Sequence, residues 1–326
     1  MKKVRINSIL FFSIICLLVV FQVSIFASSG KTQYSFSTGN LGGGFYAIGA
    51  GMADYLSRNI ENISCTAVTS GGVVENMNRI QIGKADFALT TTIASYQAFR
   101  GLAIYEQEYD NMRQLGIMWA NFIQPYTLKK TGIKTYLDLK GKIVCAGNPG
   151  GSMDQLFFDF VRIHGIDPEK DFKKVVYLPL KAAMEALKTG QVDAVMTSNV
   201  IPDANIVELS LTRDVNIVGF APGYRDKLVK EKPEYSPMTL PGGTYRGVDE
   251  DIETVGLFTL WVCNKDIPDE IAYQAVKAVY SPEGLDYLGK VHVAAKGITL
   301  KGAASAISLP LHPGAEKYYK EVGLIK

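Results

Sequence analysis

Apolar and polar positions along the chain follow two alternating patterns. Short apolar runs of the kind that form buried strands are followed by stretches in which apolar residues recur every three or four positions, as on the buried face of a helix. In the first such stretch, Phe45–Asn59, the residues Ile48, Met52, Tyr55 and Leu56 share one face. This alternation predicts an α/β fold with a mostly parallel sheet.

The same order of elements occurs twice. Each half has a strand, a glycine turn, a helix, a strand, a helix and a short strand announced by Gly-x-x-Asp, at Gly83–Asp86 and again at Gly190–Asp193. This weak repeat suggests two lobes of the same build. The first half is predicted to hold strands Tyr34–Ser37, Cys65–Thr69 and Asp86–Thr90, helix Phe45–Asn59, a helix carrying Val73, Val74, Met77 and Ile80, and helix Ile93–Arg100. The second is predicted to hold strands Lys142–Ala146, Val175–Leu178 and Val192–Thr197 with helices Met153–His164 and Lys181–Lys188.

Two longer apolar segments, Leu115–Leu128 and Thr254–Cys263, lie between and after these units. Either they are long strands that cross between the lobes as hinges, or each belongs wholly to the sheet of one lobe. The segment Tyr224–Asp251 is rich in proline, glycine and charge, which predicts a surface loop. Ile267–Tyr280 and Pro313–Val322 are predicted to be the closing helices, each with a proline near its start.

The first residues resemble an export signal. Lys2, Lys3 and Arg5 precede an apolar run from Ile9 to about Phe26, and small residues follow at Ala27–Ser29. The pattern predicts a signal peptide over residues 1–28 and an extracytoplasmic mature protein. An uncleaved membrane anchor is the alternative, because the run approaches the length that spans a bilayer.

Charge and cysteine content exclude several classes of protein. The formal charge of +2 includes the three basic residues of the signal, so the remaining chain has 31 basic against 32 acidic residues, which gives no support for nucleic acid or anionic membrane partners. Three cysteines remain, Cys65, Cys145 and Cys263, each within an apolar run typical of buried thiols rather than disulfides. The histidines have no metal-ligand spacing, and we expect neither a metal nor a cofactor.

Glycine turns stand between a strand and a helix at three places. They are Gly39–Tyr46, with Gly42, Gly43 and Gly44 in succession, then Ser70–Gly72, then Gly150–Ser152. Helix starts present free backbone N–H groups and partial positive charge to anions. The glycine spacing does not fit a dinucleotide fingerprint, and no Walker lysine follows. Because ligands of parallel sheets bind beyond the carboxyl ends of the strands, the three turns predict a site for a small anion.

Other strand ends are polar. The hydrogen-bonding groups there either form a ligand surface or cap helices and loops. The nearby aromatic residues either line a pocket or pack in the core. The polar residues are Thr90, Thr91, Thr92, Asn121, Gln124, Ser198 and Asn199, and the aromatics are Phe45, Tyr46, Trp119, Phe122 and Tyr245. Glu75 and Asp154 fall in the first turns of predicted helices, where they complement the helix dipole. The sequence has no Gly-x-Ser-x-Gly motif and no evident catalytic constellation.

These motifs together resemble the TAXI family of TRAP-transporter solute receptors. The matching segments follow the same order over nearly all of the mature chain: Thr38–Tyr46, Thr69–Asn76, Gly83–Asp86, Leu137–Lys142, Gly147–Ser152, Leu240–Tyr245 and Leu311–Ala315. The resemblance implies a type II periplasmic-binding-protein fold, in which two α/β lobes joined by hinge strands close on a ligand in the cleft. Known ligands in the family include glutamate, glutamine and dicarboxylic 2-oxoacids, which the receptor delivers to an ion-gradient-driven permease.

The resemblance also implies which residues bind the ligand. By motif position they are Gly43, Gly44, Phe45, Tyr46, Ser70, Gly71, Gly72, Asn76, Thr90, Thr91, Thr92, Gln124, Gly151, Ser152, Ser198 and Asn199. This chain departs from the family at Thr90–Thr92, where a Gln-Ser-Asp-like segment is common, and at Met153-Asp154, where Thr-Glu is common. These changes remove one acid and one hydroxyl near the expected pocket, which affects the identity of the ligand more than the fold.

We therefore expect a monomeric receptor without catalytic activity, whose partners are a small carboxylate and the membrane subunits of a TRAP permease. The predicted domains are the signal at residues 1–28, a discontinuous lobe I at 29–118 and 255–326, and lobe II at 119–254. Two other functions are considered: a sensor that presents its ligand to a membrane kinase or chemoreceptor, and an enzyme such as a transferase on the same fold.

Overall fold

The computed structural model describes residues 30–147 and 153–326 as two lobes, each with a sheet and flanking helices. The strands are β1 Thr32–Ser37, β2 Ile63–Val68, β3 Phe87–Thr91, β4 Met112–Ile123, β5 Tyr126–Leu128, β6 Ile143–Cys145, β7 Lys174–Val176, β8 Ala194–Val195, β9 Ser198–Asn199, β10 Val215–Ile217, β11 Ser236–Leu240 and β12 Ile252–Asn264. The helices are α1 Gly44–Asn59, α2 Val73–Gln81, α3 Thr92–Phe99, α4 Met153–Ile163, α5 Leu180–Thr189, α6 Ala204–Thr212, α7 Tyr224–Glu231, α8 Asp269–Val279, α9 Pro282–Val291 and α10 Pro313–Glu321.

The large lobe is built on a seven-stranded sheet in the order β2-β1-β3-β12-β4-β9, with β11 paired to β12. The small lobe has a five-stranded sheet in the order β10-β5-β8-β6-β7. Each lobe has its own aromatic core. Trp261 stacks on Phe36 in the large lobe, and Tyr136 packs edge-on against Phe160 and Phe220 in the small lobe. The predicted α/β architecture with two lobes is confirmed, but the prediction of a mostly parallel sheet is wrong, because β12 and β5 run antiparallel to the strands on either side of them.

In both lobes, the aspartate of the repeated Gly-x-x-Asp motif binds the backbone of the first strand. The Asp86 carboxylate accepts hydrogen bonds from the backbone N–H and the hydroxyl of Ser35 at 2.7 and 2.9 Å, and its N–H donates to the Ser35 carbonyl. In the small lobe the Asp193 carboxylate accepts from the Ile143 N–H at 2.8 Å, and its N–H donates to the Ile143 carbonyl. Each aspartate therefore fixes the third strand of its unit beside the first strand in parallel register.

The two long apolar segments behave differently. Leu115–Leu128 is interrupted at Gln124-Pro125, where β4 of the large sheet passes into β5 of the small sheet. Proline suits this point because it has no N–H to contribute to a ladder. The second segment forms β12, which pairs only within the large sheet, although its Val255 and Leu257 pack in the small-lobe core. The first segment is therefore a crossing strand, and the second belongs to one sheet.

The prediction of a surface loop over Tyr224–Asp251 is wrong. The segment contains α7 and β11, and β11 pairs antiparallel with β12. The α7 helix buries only Leu228, so it lacks the apolar repeat that makes a helix visible in a sequence. The helices α6 and α9 were not predicted either.

Of the remaining sequence expectations, the one on buried cysteines is confirmed, and those on the signal and the lobe boundaries stay predictions. Cys65, Cys145 and Cys263 are free and buried, as expected, and burial with the nearby charge of Asp86 raises the pKa of Cys65 to about 12. The predicted signal lies outside the described residues, and the lobe boundaries predicted at 118–119 and 254–255 stay predictions. Within residues 30–147 and 153–326, no helix is long and apolar enough to span a bilayer.

The aspartate contacts predict a matched loss of stability. Asp86→Ala and Asp193→Ala each remove hydrogen bonds from backbone groups to a charged acceptor, so we expect each to lower the free energy of unfolding by roughly 1.5–3 kcal/mol. Urea unfolding followed by circular dichroism measures this. Asp249→Ala, at an exposed position, is the control and should change stability by less than about 0.5 kcal/mol. Equal effects for all three variants would contradict the structural role.

Candidate ligand-binding site

The carboxyl ends of strands from both sheets lie together where the lobes join, and this place is called here the crevice. β1 runs parallel to β2 and β3, and β12 is antiparallel to both β3 and β4, so β1–β4 all end at one edge. In the small lobe, β6 and β8 run parallel and β8 ends beside the start of β5, to which β4 leads directly. The Gln124 N–H donates to the Thr197 carbonyl at 2.9 Å across this junction. Parallel sheets bind ligands at such edges.

The first glycine turn leads into α1 at this edge. Gly43 is the extended N-cap residue and provides no side-chain cap. The first intrahelical bond runs from the Ala47 N–H to the Gly43 carbonyl. The N–H groups of Gly44, Phe45 and Tyr46 therefore have no acceptor among the described residues. They form the open positive end of a 16-residue helix, which is suited to an anion.

The glycines of this turn suit a positive φ at one position and close contacts within the protein at others. Gly42 has a φ of +82°, which disfavours a side chain. A Cβ on Gly39 would lie 2.9 Å from the Phe45 Cβ, and one on Gly44 would lie 3.3 Å from the His292 ring. Phe45 in turn contacts Trp119 edge-on, with the ring centroids 5.7 Å apart. The glycine run thus seats the start of α1 tightly against the large-lobe core.

The second turn already holds an anion from the chain itself. Gly72, with a φ of +119°, precedes α2, and its N–H donates to the Ser70 hydroxyl at 3.2 Å. The Gly71 N–H donates to the Glu75 carboxylate at 2.6 Å, and Arg79 contacts the same carboxylate at 2.5 Å. The Gly71 N–H and the Arg79 guanidinium hold the pKa of Glu75 below its ordinary value. One predicted ligand donor, the Gly71 N–H, is therefore used internally.

Asn76 lies wholly buried below this turn. Its amide donates to the carbonyls of Thr38 and Leu89, both at 2.7 Å, and its carbonyl oxygen accepts from the Ser37 hydroxyl at 2.7 Å. Both amide hydrogens are used. The residue joins α2 to the ends of β1 and β3, and its side chain has no donor left for a ligand.

The threonines at the end of β3 divide into three environments. Thr90 is wholly buried, and its hydroxyl has no partner in the described part of the chain. Thr91 caps α3 by accepting from the Ala94 N–H, and Thr92 accepts from the Phe258 N–H. Only Thr91 is partly exposed. It pairs with Thr259 of β12, whose hydroxyl accepts from the Asn121 amide at 3.0 Å. Thr91 thus belongs to a polar row across three strands.

The predicted residues at the crossing have different roles. Gln124 is wholly buried, and its amide group is bonded to Asn199, Val200 and Tyr245. Asn199 donates to the Asp203 carboxylate at 2.8 Å and accepts from the Val200 N–H at 2.9 Å. Ser198 is half-buried, and its hydroxyl has no partner within the described part of the chain. Gly151 and Ser152 lie outside the described residues.

The structure brings the predicted ligand residue Ser70 together with residues that were not predicted as ligand contacts. An open depression of about 390 Å³ lies between the first two turns and is lined by Asn40, Leu41, Thr69, Ser70, Glu75 and Arg79. Arg79 reaches it from the second turn of α2 and donates to the Thr69 carbonyl at 2.9 Å. In the sequence, the i, i+4 spacing of Glu75 and Arg79 on a predicted helix is the feature that indicates this ion pair. A larger cavity of about 760 Å³ lies in the small lobe, and none of the predicted ligand residues lines it.

The histidines cap backbone groups. His292 and His312 accept the Ala294 and Gly314 N–H groups at 3.1 and 3.2 Å, and His164 accepts the Ala221 N–H at 3.2 Å. Burial lowers the pKa of both His164 and His312, which keeps them neutral acceptors. Among the described residues, no group of three or more His, Cys, Asp or Glu is arranged to hold a metal ion.

The environment of Asn76 predicts that its substitution affects folding directly. Asn76→Leu removes three hydrogen bonds in the core, those of its amide to the Thr38 and Leu89 carbonyls and that of the Ser37 hydroxyl to its oxygen, so we expect a loss of roughly 2–4 kcal/mol in the unfolding free energy of the ligand-free protein. Chemical denaturation measures this. Val74→Ala, at an exposed position of the same helix, is the control. Unchanged stability with weakened ligand binding would instead make Asn76 a ligand contact.

Comparisons with known proteins agree with this architecture. The chain shares 12% identity with XAC2383 from Xanthomonas citri bound to ATP, over 90% of this chain and 97% of that chain, with a TM-score of 0.55. It shares 14% with a TctC solute-binding protein from Polaromonas, over 92% and 100%, with a TM-score of 0.54. It also shares 14% with MatC from Rhodopseudomonas palustris with bound malate, over 91% and 97%, with a TM-score of 0.51.

At these identities the likeness concerns the fold, and it confirms the predicted two-lobe architecture of periplasmic binding proteins. A model of the NMT1-like family matches residues 36–323, which is most of the chain. The chain therefore belongs to the NMT1-like family.

Proposed function

We propose that this protein is an extracytoplasmic receptor that captures a small carboxylate in the crevice and delivers it to a TRAP-type permease. The start of α1 carries the proposal. Three successive N–H groups, those of Gly44, Phe45 and Tyr46, lack an acceptor among the described residues and stand where the carboxyl edges of both sheets meet. A carboxylate there accepts two or more hydrogen bonds and interacts favourably with the helix dipole.

The predicted ligand residues divide into contacts and supports in this proposal. The ligand carboxylate binds the first turn, Gly43–Tyr46, rather than the second, because Glu75 already takes the Gly71 N–H. The hydroxyls of Thr91 in β3 and Ser198 in β9 are the further contacts. Asn76, Gln124 and Asn199 support the site from below, since their amide groups are bonded within the protein.

The charge balance favours a ligand recognised without a strong salt bridge. In the depression beside the first turn the charged side chains are Glu75 and Arg79, and they neutralise each other. Backbone N–H groups and hydroxyls therefore provide most of the recognition. The resemblance to TAXI receptors suggests glutamate, glutamine or a dicarboxylic 2-oxoacid, and malate, the ligand of MatC, is also a dicarboxylate.

Location and partner follow from the same resemblance. The predicted signal at residues 1–28 directs export, and a TRAP permease in the membrane receives the ligand from the closed receptor, which acts without catalysis. In this scheme closure of the two lobes excludes water and strengthens the hydrogen bonds to the carboxylate.

Calorimetry tests the ligand class. After unfolding and refolding to remove any retained ligand, the protein is titrated with glutamate, glutamine, 2-oxoglutarate and malate, with ATP and an alkyl sulfonate for comparison. We expect at least one carboxylate to bind with a Kd in the micromolar range or tighter. Native mass spectrometry of the protein as purified is the second measurement. If no carboxylate binds and no small molecule is retained, the proposal is wrong.

A pair of variants tests the role of the first turn. Gly44→Ala and Gly44→Pro both place a Cβ near His292, but only proline removes the N–H, and proline suits the first position of a helix. We expect Gly44→Pro to bind the carboxylate about tenfold more weakly than Gly44→Ala, because a hydrogen bond to a charged group is lost. Equal Kd values for the two variants would show that the carboxylate does not bind at this turn.

A further inference from the structure

Three stretches of chain meet where the lobes join. The first is Ile123–Pro125, which connects β4 to β5, and the second is Thr197–Val200, which contains β9. The third is the first part of β12, where the Thr254 hydroxyl donates to the Ile123 carbonyl at 2.5 Å. The junction is therefore bonded through all three stretches.

A hydrogen-bonded cluster, called here the crossing cluster, lies at this junction and consists of the buried Gln124, Asp203 and Tyr245 with the half-buried Asn199. The Tyr245 hydroxyl donates to the Gln124 side-chain carbonyl at 2.5 Å and accepts from the Asp203 N–H at 2.8 Å. The Gln124 amide donates to the Asn199 and Val200 carbonyls at 3.2 and 3.3 Å. Gln124 is 0% and Tyr245 2% exposed, so water does not compete for these bonds.

Tyr245 is held by a loop that leaves it little freedom. The Gly243 N–H donates to the Val248 carbonyl at 2.6 Å, and the Gly242 N–H donates to the Asp251 carboxylate at 2.9 Å. A Cβ on Gly242 would lie 2.4 Å from the Asp249 carbonyl oxygen, so the chain approaches itself too closely for any other residue. The Leu240–Tyr245 motif therefore builds a rigid support for one phenol, and Tyr245 does not form a wall of the crevice.

The cluster also has an unused donor beside it. Tyr126, the first residue after the crossing, is wholly buried, and its hydroxyl has no hydrogen-bond partner within residues 30–147 and 153–326. Burial, together with the nearby charge of Asp203, raises the pKa of Tyr126. A buried hydroxyl without a partner is costly, so an arrangement of the junction that pairs it is favoured by that bond. In the arrangement described here the Tyr245 hydroxyl donates a hydrogen bond, and the Tyr126 hydroxyl is available to donate one in a second arrangement.

We propose that the crossing cluster is a latch between two arrangements of the lobes, in which Tyr245 is a positioning residue that sets ligand affinity without touching the ligand. The effect on affinity rests on the proposed receptor function, whereas the effect on lobe position does not. Loss of the Tyr245 hydroxyl leaves the Gln124 oxygen and the Asp203 N–H unpaired in the arrangement described here. That arrangement is weakened relative to the other, and the population shifts.

The latch is tested first without ligand. Spin labels at Lys84→Cys in the large lobe and Lys227→Cys in the small lobe report inter-lobe distances by pulsed electron resonance, and the three native cysteines among the described residues, Cys65, Cys145 and Cys263, are buried. We expect Tyr245→Phe to shift or broaden the distance distribution. Tyr235→Phe is the matched control, because it removes the hydroxyl of another buried tyrosine of the small lobe. That hydroxyl donates to Asp159 at 3.0 Å and lies away from the junction. An unchanged distribution for Tyr245→Phe, or an equal shift in the control, overturns the proposal.

A second variant removes the unused donor. Tyr126→Phe breaks no hydrogen bond of the arrangement described here, so the protein should fold and keep that arrangement at the expense of the other. The inter-lobe distance distribution of Tyr126→Phe should therefore narrow or stay centred as in the wild type, whereas that of Tyr245→Phe should shift or broaden. A shift of both variants in the same direction overturns the two-arrangement latch.

Affinity is the last measurement. With a carboxylate found to bind in the calorimetric panel, Tyr245→Phe should change the Kd about two- to tenfold, as expected for one hydrogen bond, while Tyr235→Phe leaves it unchanged. A distance shift without any bound carboxylate supports the latch and refutes the receptor proposal. Carboxylate binding with identical distances and Kd values in all variants supports the receptor and refutes the latch.

Discussion

The parallel alignment of β1, β2 and β3 is the constraint on which the crevice depends. Parallel strands end at the same edge, so the turns that follow them, at Gly39–Tyr46, Ser70–Gly72 and Thr91, are brought side by side although they are far apart in sequence. Asp86 secures this alignment, since its carboxylate and N–H both bind the backbone of Ser35. Asp193 does the same on Ile143 in the small lobe. Two equivalent clamps thus orient two sheets whose carboxyl edges face one another.

Burial decides which polar residues remain available to a ligand. An unpaired amide in the core is costly, so Asn76 and Gln124 bind neighbouring backbone carbonyls. These bonds hold the turns in place but leave no side-chain amide for recognition. The backbone N–H groups at the start of α1 have no such partner among the described residues. The division follows from position: side chains that point into the lobes support the site, and main-chain groups at helix starts face the crevice.

The sequence predicted the fold well because strand, turn and helix signals are local. The Gly-x-x-Asp repeat even marked the two equivalent clamps, although the carboxylate bond to the first strand is a contact over 51 residues that spacing alone does not reveal. Local signals failed for α7, which buries a single leucine, and for the break at Gln124-Pro125 within one apolar run. The site was harder to predict, since whether Asn76 or Tyr245 faces a ligand or a neighbouring carbonyl depends on tertiary contacts.

The pair formed by Glu75 and Arg79 shapes the electrostatics of the crevice. Two helix starts, of α1 and α2, stand near one another, and without compensation both would attract anions. Glu75 accepts the Gly71 N–H at the start of α2, and Arg79 balances its charge, so this second start carries an internal counter-ion. The start of α1 has no acidic residue in its first turn. The asymmetry leaves one strong anion position instead of two, and a ligand with a single carboxylate at that end is oriented by it.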